Sequence, residues 1–300
     1  MKNFLSFSPE FKSPFFPHVC LESTVITFGL PYPDNVRLAK DMESKRREGG
    51  SIPLTLGIRD GKIVIGFSED DFEFFGKGEG VIKANMRDIP HLLAQKRSGA
   101  LTVSGSISIM SLFNLMFFVT GGTGGVHRGM PDVLDISADL IALSKYKVVV
   151  VSSGFKSILD IEKTWEFLET LGIGVVGFKT KKLPGFYFRE TDIPLDMYVD
   201  SIEELVDFIR VWDKVSNTAL LVVNPIPEED ELDRKYFEEL MDEILLDVDK
   251  KRIKGKDVTP FILSELHSRS GGKTLKSNIS LLLNNAKLGG KLAFLYFRKD

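Results

Sequence analysis

Hydrophobic and polar residues alternate along the chain in a pattern that predicts strands and helices in turn. The β-branched run Lys147–Ser152 is typical of a buried parallel strand, and Gly174–Phe178 and Ala219–Val223 resemble it. Helical spacing fills the intervals, over Ser157–Leu171 and Ile202–Trp212. Such alternation implies a mostly parallel sheet that is covered by helices on both faces. We therefore predict an α/β fold with three α/β/α layers and a mostly parallel or mixed central sheet.

The first half of the chain shows the same alternation, and prolines and glycines mark where several of its elements begin or end. Pro33 opens a predicted helix that runs through Arg47 and ends at Gly49–Gly50. Arg59-Asp60-Gly61 separates two apolar runs and predicts a β-hairpin. The other predicted elements are hairpin strands over Ile52–Ile58 and Lys62–Phe67, helices over Asp88–Ser98, Ser104–Met116 and Val133–Lys145, strands over Leu101–Val103 and Phe117–Thr120, and a mainly helical region from Glu228 onward.

Composition and charge exclude several classes of protein. The chain has 300 residues, of which 43% are hydrophobic, and its net charge of −3 argues against nucleic-acid binding. Its one cysteine, Cys20, permits no internal disulfide and is expected to be buried or incidental. Residues 1–17 lack the pattern of a signal peptide, and no apolar run reaches the roughly 18–20 residues of a membrane span. We predict a cytoplasmic protein with no membrane segment, formed by a single catalytic domain over 1–300 with 1–17 as an N-terminal extension.

The glycine-rich segment Thr120–Gly129 follows a predicted apolar strand. Five glycines in ten residues allow backbone N–H groups to approach an anion closely, and His127 and Arg128 add further donors. The segment lacks the Gly-Lys-Ser/Thr ending of a Walker loop and the dinucleotide-binding fingerprint. We predict that it binds a phosphate; a flexible surface turn is the alternative.

Three aspartates suggest a metal site. On a helix, Asp132, Asp135 and Asp139 would share one face, at positions i, i+3 and i+7. Carboxylates this close repel each other unless a cation compensates, and Mg²⁺ or Mn²⁺ with oxygen ligands would do so. A solvated acidic helix face explains the spacing equally well.

Lys156 and Glu22 are the candidate reactive side chains. Ser157-Ile-Leu-Asp160 has the form of a helix start, which would place Lys156 beside a helix N-terminus. The helix dipole and desolvation would then lower the pKa of its ammonium group and leave a nucleophilic amine. Glu22 ends an apolar run, where burial would suit a proton donor. The alternative for Lys156 is a surface lysine on a loop.

Taken together, these segments resemble the pseudouridine-5′-phosphate glycosidase family, whose members are also known as indigoidine-synthase-A-like proteins. The resemblance runs in order from about Glu22 to Ala286. The matching stretches are Glu22–Ile26, Gly29–Val36, Thr102-Val103, Val119–Gly129, Asp135–Leu140, Gly154–Asp160, Asn224–Glu229, Gly255–Phe261, Asn278 and Leu283–Ala286. Small departures, at Thr123 and Ser104–Ser106, concern helix packing rather than chemistry.

The resemblance implies a reaction and a role for each matching residue. The reaction is reversible cleavage of the C–C glycosidic bond of pseudouridine 5′-phosphate, giving uracil and ribose 5-phosphate through a lysine Schiff base. Glu22 is implied as the proton donor, Lys156 as the nucleophile and Asp135 as the ligand of a divalent ion, usually Mn²⁺. The family also implies a homotrimer or larger homo-oligomer. The implied substrate contacts are Lys83, Val103, Thr120, Ser137, Ala138, Asp139 and Asn278.

Two other functions remain open at this point. A Schiff-base aldolase or lyase that acts on another sugar phosphate would use the same lysine, phosphate loop and metal. A non-catalytic nucleotide-binding module would need only the glycine-rich loop and would release no product. Assays for uracil release and for aldol cleavage separate the three hypotheses.

Overall fold

The computed structural model describes residues 4–128, 135–253 and 258–298. Within these residues eleven strands form one sheet, in the order β1-β4-β3-β2-β7-β8-β11-β9-β10, with β6 beside β3 and β5 beside β6. The strands are β1 (Leu5–Phe7), β2 (His18–Glu22), β3 (Ile52–Arg59), β4 (Lys62–Ile65), β5 (Val81–Ala84), β6 (Ser98–Leu101), β7 (Phe117–Val119), β8 (Val149–Ser152), β9 (Gly174–Phe178), β10 (Tyr198–Val199) and β11 (Leu220–Val223).

Helices connect most of the strands and complete the chain. They are α1 (Thr24–Gly29), α2 (Asp34–Glu48), α3 (Glu69–Lys77), α4 (Ile89–Ala94), α5 (Val103–Leu112), α6 (Ala138–Lys145), α7 (Ile161–Thr170), α8 (Ile202–Val215), α9 (Arg234–Lys250), α10 (Val258–Arg269) and α11 (Lys273–Phe297), with a 3₁₀ helix at Glu228–Asp230. In the part of the chain that the structure describes, none of these helices is long and apolar enough to cross a bilayer.

The sheet is mixed and has helices on both sides, which confirms the predicted fold class. Strand β3 pairs antiparallel with β4 and β6, and the other pairings are parallel. In the centre of the sheet, Leu21 of β2 is in register with Val119 of β7, which is in register with Val151 of β8. The carboxyl ends of these three neighbouring strands therefore meet at one edge of the sheet, where ligands of open α/β sheets bind.

One face of the sheet is covered by the long helix α11, which packs against α2 and over β7 and β8. Glycines allow this close packing. A Cβ on Gly289 would lie 2.3 Å from a methyl group of Val119, and one on Gly290 would lie 2.7 Å from the Arg46 carbonyl oxygen. Helices α5 and α6 pack against each other, and α5 contacts β2. The position of α11 is thus fixed by backbone contact with α2 and by close contact of its glycine backbone with a side chain of β7.

Several predicted elements are confirmed by the structure. The hairpin turn lies at Asp60 and Gly61, whose φ angles of +51° and +72° suit a tight two-residue turn. Strand β9 has the predicted bounds, and α2 differs from its prediction by one residue at each end. The predicted N-terminal extension contributes β1, which pairs in parallel with β4.

Two predictions before residue 110 are wrong in their boundaries. The helix predicted over Asp88–Ser98 stops at Ala94, because Lys96 adopts a left-handed φ of +51° and turns the chain into β6. The strand predicted over Leu101–Val103 ends at Leu101. Thr102 instead caps α5 by accepting a hydrogen bond from the Gly105 amide.

Three predicted helices are shorter than expected. The helix predicted over Ser104–Met116 ends at Leu112, before Asn114 with a left-handed φ of +53°. The helix predicted over Val133–Lys145 begins at Ala138, where the Ser137 side chain caps it; residues 129–134, which include Asp132, lie outside the described residues. The helix predicted over Ser157–Leu171 begins at Ile161, because Asp160 rather than Ser157 supplies the cap.

Candidate active site

Glu22 is the last residue of β2 and is buried, with 1% of its surface exposed. Its Oε1 accepts the hydroxyl of Thr120 at 2.5 Å, and its Oε2 accepts the hydroxyl of Thr24. The next residue, Ser23, accepts the Leu101 amide on its Oγ at 2.8 Å. The carboxylate is therefore held by two hydroxyl donors at the carboxyl edge of the sheet.

Lys156 lies on the loop after β8, and this loop runs beside the glycine-rich loop after β7. Three backbone hydrogen bonds join them: Ser153 N–H to Gly121 O at 2.8 Å, Thr123 N–H to Gly154 O at 3.2 Å, and Lys156 N–H to Thr123 O at 3.1 Å. The backbone of the half-buried Lys156 is thus tied directly to the glycine-rich loop.

The glycines of this loop serve close packing. None of Gly121, Gly122, Gly124 and Gly125 has a positive φ. A Cβ on Gly122 would meet the ring of Phe186 at 2.7 Å, and one on Gly124 would meet Ser137 Oγ at 2.2 Å.

Amide groups of the loop are also used inside the protein. Thr123, Gly124 and Val126 donate to Gly154 O, Asp139 Oδ2 and Thr164 Oγ1. If the loop binds a phosphate, its other backbone N–H groups must therefore be the donors.

The predicted position of Lys156 at a helix N-terminus is wrong. Helix α7 begins at Ile161, so Lys156 lies four residues before the cap Asp160. The intervening residues form a bend that Arg128 stabilises, because its Nε donates to Leu159 O at 3.0 Å. The helix dipole therefore does not support the reactivity predicted for Lys156, and the predicted role of Arg128 as a phosphate ligand competes with this backbone contact.

Lys83 lies close enough to Lys156 for their positive charges to repel each other. Lys83 is an exposed residue of β5, but the surrounding protein partly desolvates its ammonium group, and this desolvation lowers its pKa. The positive charge of Lys156 lowers the pKa of Lys83 further, whereas the charges of Glu22 and Asp139 oppose the shift. Four residues that the sequence singled out, from β2, β5, α6 and the loop after β8, are thus close enough for their charges to interact.

Asp139 is buried in the first turn of α6, with 4% of its surface exposed. Its Oδ1 accepts the Ser104 amide at 2.8 Å and its Oδ2 accepts the Gly124 amide at 2.9 Å. Ser137 N–H donates to Gly125 O at 2.9 Å. The carboxylate therefore joins α5, α6 and the glycine-rich loop, beside the buried Val103 and the half-buried Ala138. Whether any of these residues also contacts substrate stays a prediction.

The predicted acidic helix face is wrong, because Asp135 precedes α6 whereas Asp139 lies inside it. The exposed Asp135 instead lies beside His127, with 3.9 Å between Oδ2 and Nδ1. Desolvation lowers the pKa of His127; Asp135 opposes the shift, and the charges of Lys156 and Lys83 add to it.

The residues around Asp135 bear on the predicted manganese ion. Over the described ranges 4–128, 135–253 and 258–298, no group of three or more His, Cys, Asp and Glu side chains is placed to hold a metal ion. An ion held by one or two carboxylates, with water and substrate phosphate as its other ligands, needs no such group. The exposed carboxylate of Asp135, close to His127, offers one oxygen ligand for a site of that kind.

Helix α11 contributes Asn278 and Asn285. Asn285 is fully buried, and its Nδ2 donates to Thr120 O at 3.0 Å and to Ser153 Oγ at 3.1 Å. Asn278 is half-buried two helical turns earlier on the same face, about 10 Å along the axis. No role was predicted for Asn285 from the sequence. An amide inside an otherwise apolar helix stripe was the signal that marked it.

Cys20 is not part of this site. It is buried in the middle of β2, and burial raises the pKa of its thiol to about 12. A thiol with so high a pKa is not a nucleophile near neutral pH, so Cys20 is structural, as the sequence predicted.

Comparison with known proteins gives a consistent result. The sequence profile of the family described as Indigoidine synthase A like protein matches residues 14–295. Two curated relatives carry the name pseudouridine-5′-phosphate glycosidase. The protein from Glaesserella parasuis serovar 5 is 43% identical over 302 residues, covering 99% of this chain and 100% of its own. The protein from Geobacillus kaustophilus is 42% identical over 297 residues, covering 98% and 99%.

Two solved structures share the fold. The crystal structure of an indigoidine synthase A-like protein from Thermotoga maritima superposes with a TM-score of 0.89 at 37% identity, covering 98% of this chain and 97% of that one. The prealnumycin C-glycosynthase AlnA, solved in complex with ribulose 5-phosphate, gives a TM-score of 0.90 at 36% identity with the same coverage. The chain therefore belongs to the indigoidine synthase A-like protein family.

Proposed function

We propose that the protein is a pseudouridine-5′-phosphate glycosidase that cleaves the C1′–C5 bond through a Schiff base on Lys156. The observation that carries this proposal is the loop of Lys156, which is tied to the glycine-rich loop and lies within electrostatic range of Lys83. The names and near-complete coverage of the curated relatives support the same substrate.

The reaction divides one difficult bond cleavage into accessible steps. The carboxylic acid form of Glu22 protonates the ribose ring oxygen, and the ring opens to a system in which C1′ is conjugated with uracil. The amine of Lys156 adds to C1′. Cleavage of the C1′–C5 bond leaves C1′ as an imine of Lys156, and C5 takes up a proton as uracil departs. Water then hydrolyses the imine to ribose 5-phosphate and restores the free amine.

The remaining residues bind and orient the phosphosugar. We assign the 5′-phosphate to Lys83 and to the amides of the glycine-rich loop that are not used inside the protein. Binding energy from this remote group offsets the cost of distorting the sugar. Asp135 would hold the proposed divalent ion, Mn²⁺ or a similar cation, which would supply positive charge to the bound phosphosugar. Asn278, half-buried on α11, is the proposed further sugar contact.

Schiff-base chemistry on another sugar phosphate is the second candidate. It is favoured by one observation, the neighbouring C-glycosynthase structure with ribulose 5-phosphate. It keeps Lys156 and changes the leaving group. Uracil release from pseudouridine 5′-phosphate, compared with aldol cleavage of ketose phosphates, separates the two activities.

Trapping of the covalent intermediate tests the nucleophile. The protein is incubated with ribose 5-phosphate and borohydride, and the modified peptide is mapped. We expect the label on Lys156, no label in Lys156→Ala, and a persistent label on Lys156 in Lys83→Ala. The Lys83 variant is the matched control, because its ammonium group lies in the same site and has the lowered pKa. Label on Lys83 alone, or none, contradicts the proposal.

We also propose that the protein acts in the cytoplasm as a homotrimer, which the family resemblance implies. Sedimentation of the purified protein tests the oligomeric state.

A further inference from the structure

We infer that Asn285 is a positioning residue that holds the proton donor and the nucleophile in register for the proposed reaction. The inference rests on the proposed function and extends it to a side chain that touches neither substrate nor reacting atom. Asn285 is fully buried at the centre of α11, below the carboxyl edge of the sheet.

The carboxamide of Asn285 connects the ends of three strands. Its Nδ2 donates to Thr120 O, after β7, at 3.0 Å and to Ser153 Oγ, after β8, at 3.1 Å. Its Oδ1 accepts from Asn224 Nδ2, after β11, at 2.9 Å. Both N–H groups and the oxygen are therefore used, so no smaller or apolar side chain satisfies all three partners.

Two of these partners lead directly to the reactive groups. Thr120, whose carbonyl Asn285 holds, donates its hydroxyl to Glu22 Oε1 at 2.5 Å. Ser153, whose hydroxyl Asn285 holds, precedes Lys156 by three residues and donates its amide to Gly121 O. One carboxamide thus fixes the acid through Thr120 and the amine through the Ser153 loop.

The helix that carries Asn285 cannot easily shift to compensate for its loss. One turn later, Gly289 lies against Val119, and Gly290 lies against the backbone of Arg46. Loss of the carboxamide leaves the Thr120 carbonyl and the Asn224 amide without this partner in a buried environment. The two loops then relax, whereas α11 stays in place.

This arrangement predicts a defect in turnover rather than in binding. The side-chain hydrogen bonds of Asn285 go to the residues after β7, β8 and β11, whereas the proposed phosphate ligand Lys83 lies on β5, so the contribution of Lys83 to phosphate binding should be retained. A displacement of reacting groups by about 1 Å reduces rates by up to about 10²-fold. We therefore expect kcat to fall about 10–100-fold in Asn285→Ala, while KM for pseudouridine 5′-phosphate stays within about threefold.

The experiment compares Asn285→Ala with Asn284→Ala as the matched control. Asn284 is the preceding residue on the same helix, but its Nδ2 donates to Pro225 O at 3.1 Å instead of to the two reactive loops. Steady-state kcat and KM are measured well below the melting temperature of each variant, together with the rate of borohydride-trapped adduct formation from ribose 5-phosphate. We expect a slower trapping rate in Asn285→Ala and rates within about twofold of the wild type in Asn284→Ala.

A second variant keeps the test decisive if Asn285→Ala does not fold. Asn224→Ala removes only the partner of Oδ1, and we expect kcat to fall about threefold to tenfold with KM unchanged. If Asn285→Ala folds and has the kcat of the wild type, or changes only in KM, the inference is overturned. If only Asn224→Ala folds, an unchanged kcat in that variant overturns it. A wild-type protein that releases no uracil overturns the proposed function instead, so the two failures are distinguishable.

Discussion

The carboxyl group of Glu22 offers the sharpest test of the proposed acid–base chemistry. Glu22→Gln keeps the shape of the side chain and removes its transferable proton. In the structure the two carboxylate oxygens accept the hydroxyls of Thr120 and Thr24. Hydroxyl groups rotate, so one threonine donates to the new amide oxygen and the other accepts from the new amide nitrogen.

The magnitude of each effect follows from these contacts. Two hydrogen bonds to the carboxyl group are replaced by two hydrogen bonds to an amide, each worth about 0.5–1.5 kcal/mol. The side chain is 1% exposed, and both threonine hydroxyls keep a partner in the variant, so neither hydroxyl is left unsatisfied. We expect the free energy of unfolding to fall by less than about 2 kcal/mol. Loss of the general acid should lower kcat by about 10²–10⁴-fold.

Chromatographic measurement of uracil release, together with thermal unfolding, separates these two effects. Glu43→Gln is the matched control, because Glu43 Oε1 also accepts a threonine hydroxyl, that of Thr55 at 2.7 Å, but Glu43 lies on α2 and has no role in the site. The control should lose a similar amount of stability and keep kcat within about twofold of the wild type. If folded Glu22→Gln keeps more than about a tenth of kcat, Glu22 is not the proton donor.

Three further predictions concern the metal, the glycine-rich loop and a buried histidine. Chelation should suppress uracil release and Mn²⁺ should restore it, because we assign the ion to Asp135; full activity of metal-free protein would remove that assignment. In Gly124→Ala the new Cβ would lie 2.2 Å from Ser137 Oγ, so thermal unfolding should show a loss of about 1–3 kcal/mol, whereas Gly29→Ala, whose nearest atom is 3.9 Å away, should show little. Desolvation lowers the pKa of His18 in the folded state, so the unfolded state binds more protons and stability falls as the pH drops below about 6.5. The melting temperature of His18→Leu should therefore decline less over this pH range than that of the wild type. An equal decline in both proteins would show that His18 does not cause the pH dependence.

Local sequence was sufficient for the elements in the centre of the sheet. The β-branched run at Val149–Ser152 and the apolar run at Leu220–Val223 have no polar interruption, so burial on both faces was the expected outcome. Asp60 and Gly61 form the predicted hairpin turn, because both adopt left-handed φ angles that these residues tolerate.

Helix starts near the site could not be predicted in the same way. Ser157 and Asp160 both offer side chains suited to a cap, and only tertiary contacts decide between them. Asp160 N–H donates to Val126 O at 2.9 Å, and Arg128 holds the Leu159 carbonyl, so the chain stays non-helical until Ile161. Those partners lie about thirty residues away in the sequence, beyond the range of any local pattern.

The role of Asn285 was hidden for a related reason. The sequence shows Asn285 among the buried apolar positions of α11, such as Leu282 and Ala286. Its three partners, however, lie on separate loops, and Thr120 and Asn224 are more than a hundred residues apart in the chain. Only the order of the strands in the sheet brings those loops together.

The tight glycine packing also limits how this protein can change in evolution. Side chains on Gly122 or Gly124 would collide with Phe186 or Ser137, so mutation has little freedom to remodel that wall of the site. Residues 180–197 form an irregular excursion between β9 and β10, and Phe186 from this excursion covers the loop. The excursion is itself packed into the core, with Leu183, Phe186 and Phe188 buried. A larger residue on either side of this contact needs a smaller one on the other, so the glycine-rich loop and the excursion are expected to change together.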